Sequence, residues 1–271
     1  MKAWGLAIIA VALLTEPVAK PNCTVLAQTD VDVAAAARAN RARVQPDSAQ
    51  SEWYNATRVS MHAQDHGDSV QTIYEFGTNH ELRITMQETE KGKQQTSEVM
   101  LINGQCQWML AKGVPLEKGY EIDALDAPVL QMKVLLELLR RAVPGGPDEV
   151  KEKQTVNVHE LSRSIAVSTA SASGGIEAPW TLQGTIEVSA PGQVSFDLTV
   201  KQGQAMRFSG TWEKAAVATT FDDNMSLEGW QILFIGPVKK TDDSGTILDY
   251  GAQRAAVHAN TLGELRSMNR Y

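Results

Sequence analysis

Residues 180–213 read WTLQGTIEVSAPGQVSFDLTVKQGQAMRFSGTWE. Apolar side chains occupy most of the alternate positions in this stretch, and Ser, Thr, Gln and charged side chains lie between them. Because successive side chains point to opposite faces of a β-strand, this period of two predicts strands with one buried and one solvated face. Pro191-Gly192 and Gln202-Gly203 interrupt the pattern as turns, so the stretch predicts a three-stranded antiparallel meander.

A second group of strands is predicted upstream of the meander. Two alternating segments lie within residues 70–86. Asn103-Gly104 then separates two apolar runs, and both residues tolerate the positive φ angles of a type I′ turn. We therefore predict a hairpin in which 97–102 pairs with 105–110.

One amphipathic helix is predicted between the two strand groups, from Pro128 to Val143. Val, Met and Leu recur along it at three- and four-residue intervals, and Lys, Glu and Arg occupy the other side. Pro128 suits the first helical position, and Asp126 is expected to cap the helix. The Pro-Gly-Gly-Pro sequence at 144–147 should end it, and we interpret those residues as a loop within one domain.

The predicted fold class is mainly β: a strongly curved antiparallel sheet, forming an unclosed barrel, covered by one or two amphipathic helices. The helix must bury its apolar stripe, and the apolar faces of the strands are the available partner. A further helix is expected at Asp30–Val44, and another from Thr261, because Thr261 and Glu264 match a capping box. Residues 28–271 are interpreted as a single β-rich domain.

The first 27 residues are predicted to be an export signal. Lys2 precedes an uncharged apolar stretch from Ala3 to Leu14, which has the length of a signal's hydrophobic region and is too short to span a bilayer. Cleavage is expected after Ala27. We therefore expect a soluble periplasmic or secreted protein with no transmembrane segment.

The two cysteines leave one question open. Cleavage after Ala27 would remove Cys23 and leave Cys106 alone, whereas cleavage after Ala19 would keep both and permit a disulfide. The charged and bulky residues before Cys23 disfavour a lipid anchor there.

Composition and motifs argue against several classes of function. The chain carries 25 Lys and Arg against 32 Asp and Glu, and this acidic balance disfavours binding to nucleic acid or to anionic lipid. It lacks the short motifs of nucleophile elbows, phosphate loops, zinc proteases and dithiol redox sites, so neither an enzyme nor a cofactor is expected. A metal-dependent hydrolase around His62 and His66 is an alternative, although a polar turn is the expected structure there.

The apolar side chains of the meander and the helix either fill a core or line a cavity. Large aromatic residues and methionines suit an adaptable cavity lining. The candidate ligand-binding residues are Val129, Met132, Leu136, Leu139, Trp180, Leu182, Ile186, Phe196, Leu198, Met206, Phe208 and Trp212.

Two segments and the helix that follows them resemble the periplasmic lipoprotein-carrier (LolA/LolB-like) family. Residues 74–86 and then VMLINGQCQW at 99–108 are similar to that family's sheet and to its strand–turn–strand with a tryptophan. The helix at 128–143 falls where the family places helices over its open barrel. The resemblance covers about half of the chain and implies an unclosed barrel that binds acyl chains.

These observations favour an exported carrier for an apolar small molecule such as a lipid or a lipoprotein acyl chain. One alternative is a cell-envelope interaction module with a filled core and no ligand, which would recognise another envelope protein through an edge strand or a loop. The other is the metal-dependent hydrolase.

Overall fold

The computed structural model describes residues 51–268, apart from gaps at 66–67, 79–80, 103–106, 115–122, 169–172, 218, 243–244 and 255–258. The predicted signal at 1–27 and the predicted helix at 30–44 lie outside the described residues. So do His66 and Cys106.

In the part of the chain that the structure describes, eleven strands form one antiparallel sheet in the order β13-β12-β5-β4-β3-β2-β1-β11-β10-β9-β6, and β7 and β8 form a separate hairpin. The strands are β1 (Arg58–Asp65), β2 (Asp68–Phe76), β3 (Leu82–Glu90), β4 (Lys93–Ile102), β5 (Gln107–Lys112), β6 (Gln154–Glu160), β7 (Ile165–Ser168), β8 (Ser173–Ile176), β9 (Trp180–Ala190), β10 (Gln193–Gln202), β11 (Gln204–Glu213), β12 (Gln231–Asp242) and β13 (Gly245–Arg254).

The first strand, β1, joins the two halves of this sheet. It pairs with β2 on one side and with β11 on the other, where Met61 lies opposite Gly210. Among the described residues the terminal strands β13 and β6 do not pair with each other. The predicted fold class is therefore confirmed: the chain is mainly β, and its antiparallel sheet is not closed into a barrel.

The predicted meander is confirmed as β9, β10 and β11. In β10 the side chains alternate strictly, and the apolar residues Val194, Phe196, Leu198 and Val200 are buried. We call the face that carries them the inner face of the sheet, and the opposite one the outer face. Burial on one face fixes the register, because a slip of one residue would expose every apolar side chain.

Two glycines bring neighbouring strands close together within the meander. A Cβ atom at Gly184 would lie 2.0 Å from the backbone oxygen of Asp197, and one at Gly210 would lie 1.9 Å from that of Ser60. No side chain fits either position. Glycine within a strand marks close backbone approach and a bend, so these residues help to curve the sheet.

The predicted hairpin of β4 and β5 is confirmed, but its predicted register is wrong. A two-residue turn at Asn103-Gly104 would place Gln105 opposite Ile102, whereas the structure places Trp108 there. Both strands carry apolar side chains on both faces, so alternation between the faces cannot specify how they pair.

The two C-terminal strands form a long hairpin at one edge of the sheet, in which β12 runs to Asp242 and pairs with the ten-residue β13.

The amphipathic helix, α1, spans Asp123–Ala142 and begins five residues before the predicted start. Pro128 is therefore its sixth residue, and Asp126 lies inside the helix instead of capping it. Aspartates in a first turn interact favourably with the helix dipole, and Ala and Leu favour helix, which explains the earlier start. Neither α1 nor any other helix in the described part of the chain is both long and apolar enough to cross a membrane.

A second apolar cluster lies on the outer face of β4, β5 and β12. It is covered by residues 221–230 and by the C-terminal helix α2 (Leu262–Met268). The predicted capping interaction of α2 is present, since the Glu264 amide donates to the Thr261 hydroxyl at 3.2 Å. The cluster comprises Met100, Ile102, Trp108, Leu110, Phe221, Leu227, Leu262 and Leu265.

Candidate functional site

The candidate site is the apolar interior between α1 and the inner face of the sheet. The helix lies against β6, the β7–β8 hairpin and a short 3-10 helix at Glu52–Asn55. Its buried stripe includes Leu135, Leu136 and Leu139, and these side chains belong to the same apolar cluster as the inner face. The structure thus brings the predicted helix stripe and the predicted sheet face together.

Ten of the twelve candidate residues are buried members of this cluster. Val129 is half-buried and packs against it. Met206 differs, with 40% of its surface exposed, although Val200 opposite it is buried; the pairing of β11 with β1 ends at Ser209, so Met206 lies beyond that pairing. That these residues bind a ligand stays a prediction. The ten buried residues are Met132, Leu136, Leu139, Trp180, Leu182, Ile186, Phe196, Leu198, Phe208 and Trp212.

Two tryptophans fix the C-terminal end of α1 to the sheet. The Trp53 indole N–H donates to the carbonyl of Val143 at 3.0 Å, just after the helix ends. The Trp212 indole in β11 donates to the carbonyl of Trp53 at 2.8 Å, and the two rings meet edge to face with centroids 5.3 Å apart. Each buried indole therefore satisfies its donor while its ring packs in the core.

A buried carboxylate fixes the same half of the helix. Glu137 is 7% exposed, and its Oε1 accepts a hydrogen bond of 2.6 Å from the Tyr54 hydroxyl. Its Oε2 accepts two from the Arg140 guanidinium, at 3.0 and 2.9 Å. Both oxygens are occupied and the charge is paired, so this group positions the helix.

The N-terminal half of α1 contacts the sheet through Tyr74 of β2. The buried Tyr74 hydroxyl donates to the carbonyl of Pro128 at 2.9 Å. Burial raises the pKa of this hydroxyl above its usual range, so it remains a donor at all physiological pH values. Val129 and Leu130 in this half are only partly buried against the cluster.

Toward one end of β1 to β4, the inner face of the sheet first carries polar side chains and then becomes exposed to solvent. In one row across these strands, Met61 lies opposite Thr72, which lies opposite Met86, which lies opposite Ser97. Thr72 and Ser97 are both buried. In the next row Ala63 is exposed. Here the apolar interior meets solvent, with two buried hydroxyls at its margin.

Comparison of the chain with protein-family models, with curated proteins and with solved structures finds no match. The resemblance to lipoprotein carriers is neither supported nor opposed by these comparisons.

A cavity of about 220 Å³ lies near the turn between β9 and β10. Val150, Val188 and Trp212 contribute apolar surface to it, and Lys214 lies at its edge. The Lys214 ammonium is 3.1 Å from the Glu52 carboxylate and is therefore already paired.

The metal-site alternative has one described histidine. His62 lies in β1 opposite Gln71 and Ser209, with its side chain exposed on the outer face. His159 is exposed on β6, several strands away. Within the described part of the chain, no group of three or more His, Cys, Asp or Glu residues is arranged to hold a metal ion.

Two features of the fold had no signal in the sequence analysis. Trp53 and Tyr54 lie in a four-residue 3-10 helix that is too short to show a periodic pattern. Glu81 is 2% exposed and accepts two hydrogen bonds from Arg266 of α2, at 3.1 and 2.5 Å, across 185 positions of sequence. In the sequence, Glu81 is visible only as a charged residue just before an alternating segment, and that position does not identify Arg266 as its partner.

Proposed function

We propose that the protein is an exported binding or carrier protein for an apolar ligand such as a lipid or a lipoprotein acyl chain. The ligand lies between α1 and the inner face of the sheet. The observation that carries this proposal is the continuous apolar interior between an unclosed sheet and an amphipathic helix. Removal of hydrocarbon from water supplies the affinity.

The route into this interior is the N-terminal half of α1. The C-terminal half is fixed by Trp53, Tyr54 and the paired Glu137. The N-terminal half contacts the sheet through the hydroxyl of Tyr74, and Val129 and Leu130 beside that contact are only partly buried. Side chains, and not a ladder of backbone hydrogen bonds, join this half of the helix to the sheet. The helix and the strands can therefore separate here without breaking the pairing of strands.

The affinity should depend on the length of the ligand's hydrocarbon chain. Each buried methylene contributes about 0.8 kcal/mol, which is roughly a fourfold gain in affinity. A homologous series of saturated fatty acids should therefore bind more tightly at each step until the interior is filled.

Displacement of a fluorescent fatty acid from the mature protein tests the proposal. Saturable binding at micromolar ligand, strengthened along the series, is the expected result. Absence of saturable binding by a folded protein would overturn the proposal and favour an interaction module with a filled core. Affinity that ignores chain length would also contradict it.

A pair of valine variants locates the ligand. V134N changes a half-buried side chain of α1 at little cost in helix propensity, since Val and Asn rank together. V217N makes the same change at a residue that is 79% exposed and outside the cluster. We expect V134N to weaken fatty-acid binding several-fold and V217N to leave it unchanged.

A further inference from the structure

In the described part of the chain, β6 is the last strand on one side of the sheet and pairs along one edge only. Among the described strands it pairs with β9, in a register that runs without interruption from Gln154 to Glu160. The strand contains no proline and no lysine, and its one charged residue, Glu160, is paired with Arg141 at 3.2 Å. Edge strands of monomers usually carry proline, lysine or a bulge that prevents further pairing. None of these protects β6.

The sequence of β6, QTVNVHE, is complementary to itself in the antiparallel direction. If two copies pair around a two-fold axis at Asn157, that residue faces its own copy. Two apolar residues then face each other, a hydroxyl faces an imidazole, and an amide faces a carboxylate, with no like charges opposed. The pairs are Val156 with Val158, Thr155 with His159, and Gln154 with Glu160.

The faces of the strand agree with this pairing. Thr155, Asn157 and His159 are exposed on the outer face, whereas Val156 is buried and Val158 half-buried on the inner face. Opposite residues of an antiparallel pair point to the same face of a sheet. The proposed register therefore matches polar with polar on the outer face and valine with valine on the inner face.

We propose that a second copy of this chain docks on β6, so that two sheets join through an antiparallel β6–β6 ladder into one sheet that runs through a symmetric dimer. The interface is isologous, because the same strand serves both copies. It uses the edge remote from β13 and does not depend on ligand binding.

Cysteine cross-linking tests the register. Directly opposed residues have Cα atoms about 4.5–5.5 Å apart, which lies within the range that a disulfide can bridge. N157C should therefore form a covalent dimer on mild oxidation, in a background where Cys23 and Cys106 are replaced by serine. T155C is equally exposed on the same strand and face, but its two copies would be about 13 Å apart. It should cross-link far more slowly.

A charge test complements the cross-linking. N157K would oppose two ammonium groups at the axis, whereas Q183K places the same exposed charge on β9, directly beside Asn157 but away from the edge. The full chain has a mass of 29.5 kDa, and we expect the unmodified chain, after loss of its signal, to sediment as a dimer of the remaining mass. We expect N157K to raise the dimer dissociation constant roughly fivefold or more. Q183K should leave it unchanged.

Three outcomes would overturn the proposal: a monomer at every concentration, equal cross-linking of N157C and T155C, or equal effects of the two lysine variants. Association beyond a dimer would do so as well, since it would mean that unlike edges pair.

Discussion

Replacing Trp53 by phenylalanine removes the indole donor that holds the C-terminal end of α1. The carbonyl of Val143 would keep its 3.1 Å hydrogen bond from Gly146 but lose the one from Trp53. One such bond contributes about 1 kcal/mol. Trp53 is fully buried against Trp212, so the smaller ring also leaves a void that costs about 1 kcal/mol. We expect W53F to lower the free energy of unfolding by roughly 2 kcal/mol.

Urea unfolding, followed by circular dichroism, measures this change. The transition midpoint should fall while its slope with denaturant stays constant, because the surface exposed on unfolding is nearly the same. W230F is the matched control: Trp230 is partly buried in the second cluster and its ring lies 5.9 Å from the Lys112 ammonium. We expect W230F to cost less than about 1 kcal/mol. A loss for W53F no larger than that for W230F would refute the role assigned to the Trp53 hydrogen bond.

Three further changes test other parts of the fold. G210A should lower the melting temperature by several degrees, since the added carbon would lie 1.9 Å from a backbone oxygen of β1, and such overpacking costs about 1–3 kcal/mol. E81Q should speed hydrogen exchange in α2, because it weakens a charged hydrogen-bonded pair with Arg266 that contributes about 2 kcal/mol. The hydrogen-bonded Arg207 guanidinium holds the pKa of Asp197 below its usual 3.8, so their pair stabilises the fold above that pH and is lost as the pH falls through the lowered value. D197N should therefore cost less than about 1 kcal/mol at pH 7, because both groups are well exposed, and progressively less as the pH falls below 3.8.

Each of these expectations has a clear contrary result. G174A is the control for G210A, since an added carbon there would meet only the Leu130 side chain at 3.8 Å, and equal losses for the two would argue against crowding at β1. Unchanged exchange in α2 would show that the Glu81 pair does not hold it. A difference between wild type and D197N that did not shrink as the pH fell below 3.8 would require a cause other than the Asp197 charge.

The parts of the fold predicted most accurately are those with a single buried face. In β10 alternation follows directly from burial on one side, so the period of two predicted the strand, its bounds and its buried residues. The stripe of α1 was predicted for the same reason. Ten of the twelve candidate residues are buried for this reason too: the three in α1 follow its helical period, and the seven in the strands follow alternation, which reports burial. It does not report where the core ends, which is why Met206 was included.

Features that depend on distant partners had no local signal. Met100 packs on the outer face and Val99 on the inner face, so the apolar run around them fits several registers equally well. The pairing of β1 with β11 and the cover that α2 provides over β5 both join residues far apart in the chain. A periodic pattern describes one element and its two faces, but it does not specify which element lies opposite.

The seam between β1 and β11 has a consequence for how the chain acquires its structure. Ser209 contacts His62 across 147 positions, so the seam cannot close until almost the whole sheet has been synthesised. At a synthesis rate of about 5–20 residues per second, β11 is made roughly 7–30 s after β1. During that interval the backbone N–H and C=O groups on the outer edge of β1 have no strand partner. A chaperone that binds extended segments would therefore be expected to bind residues 58–65.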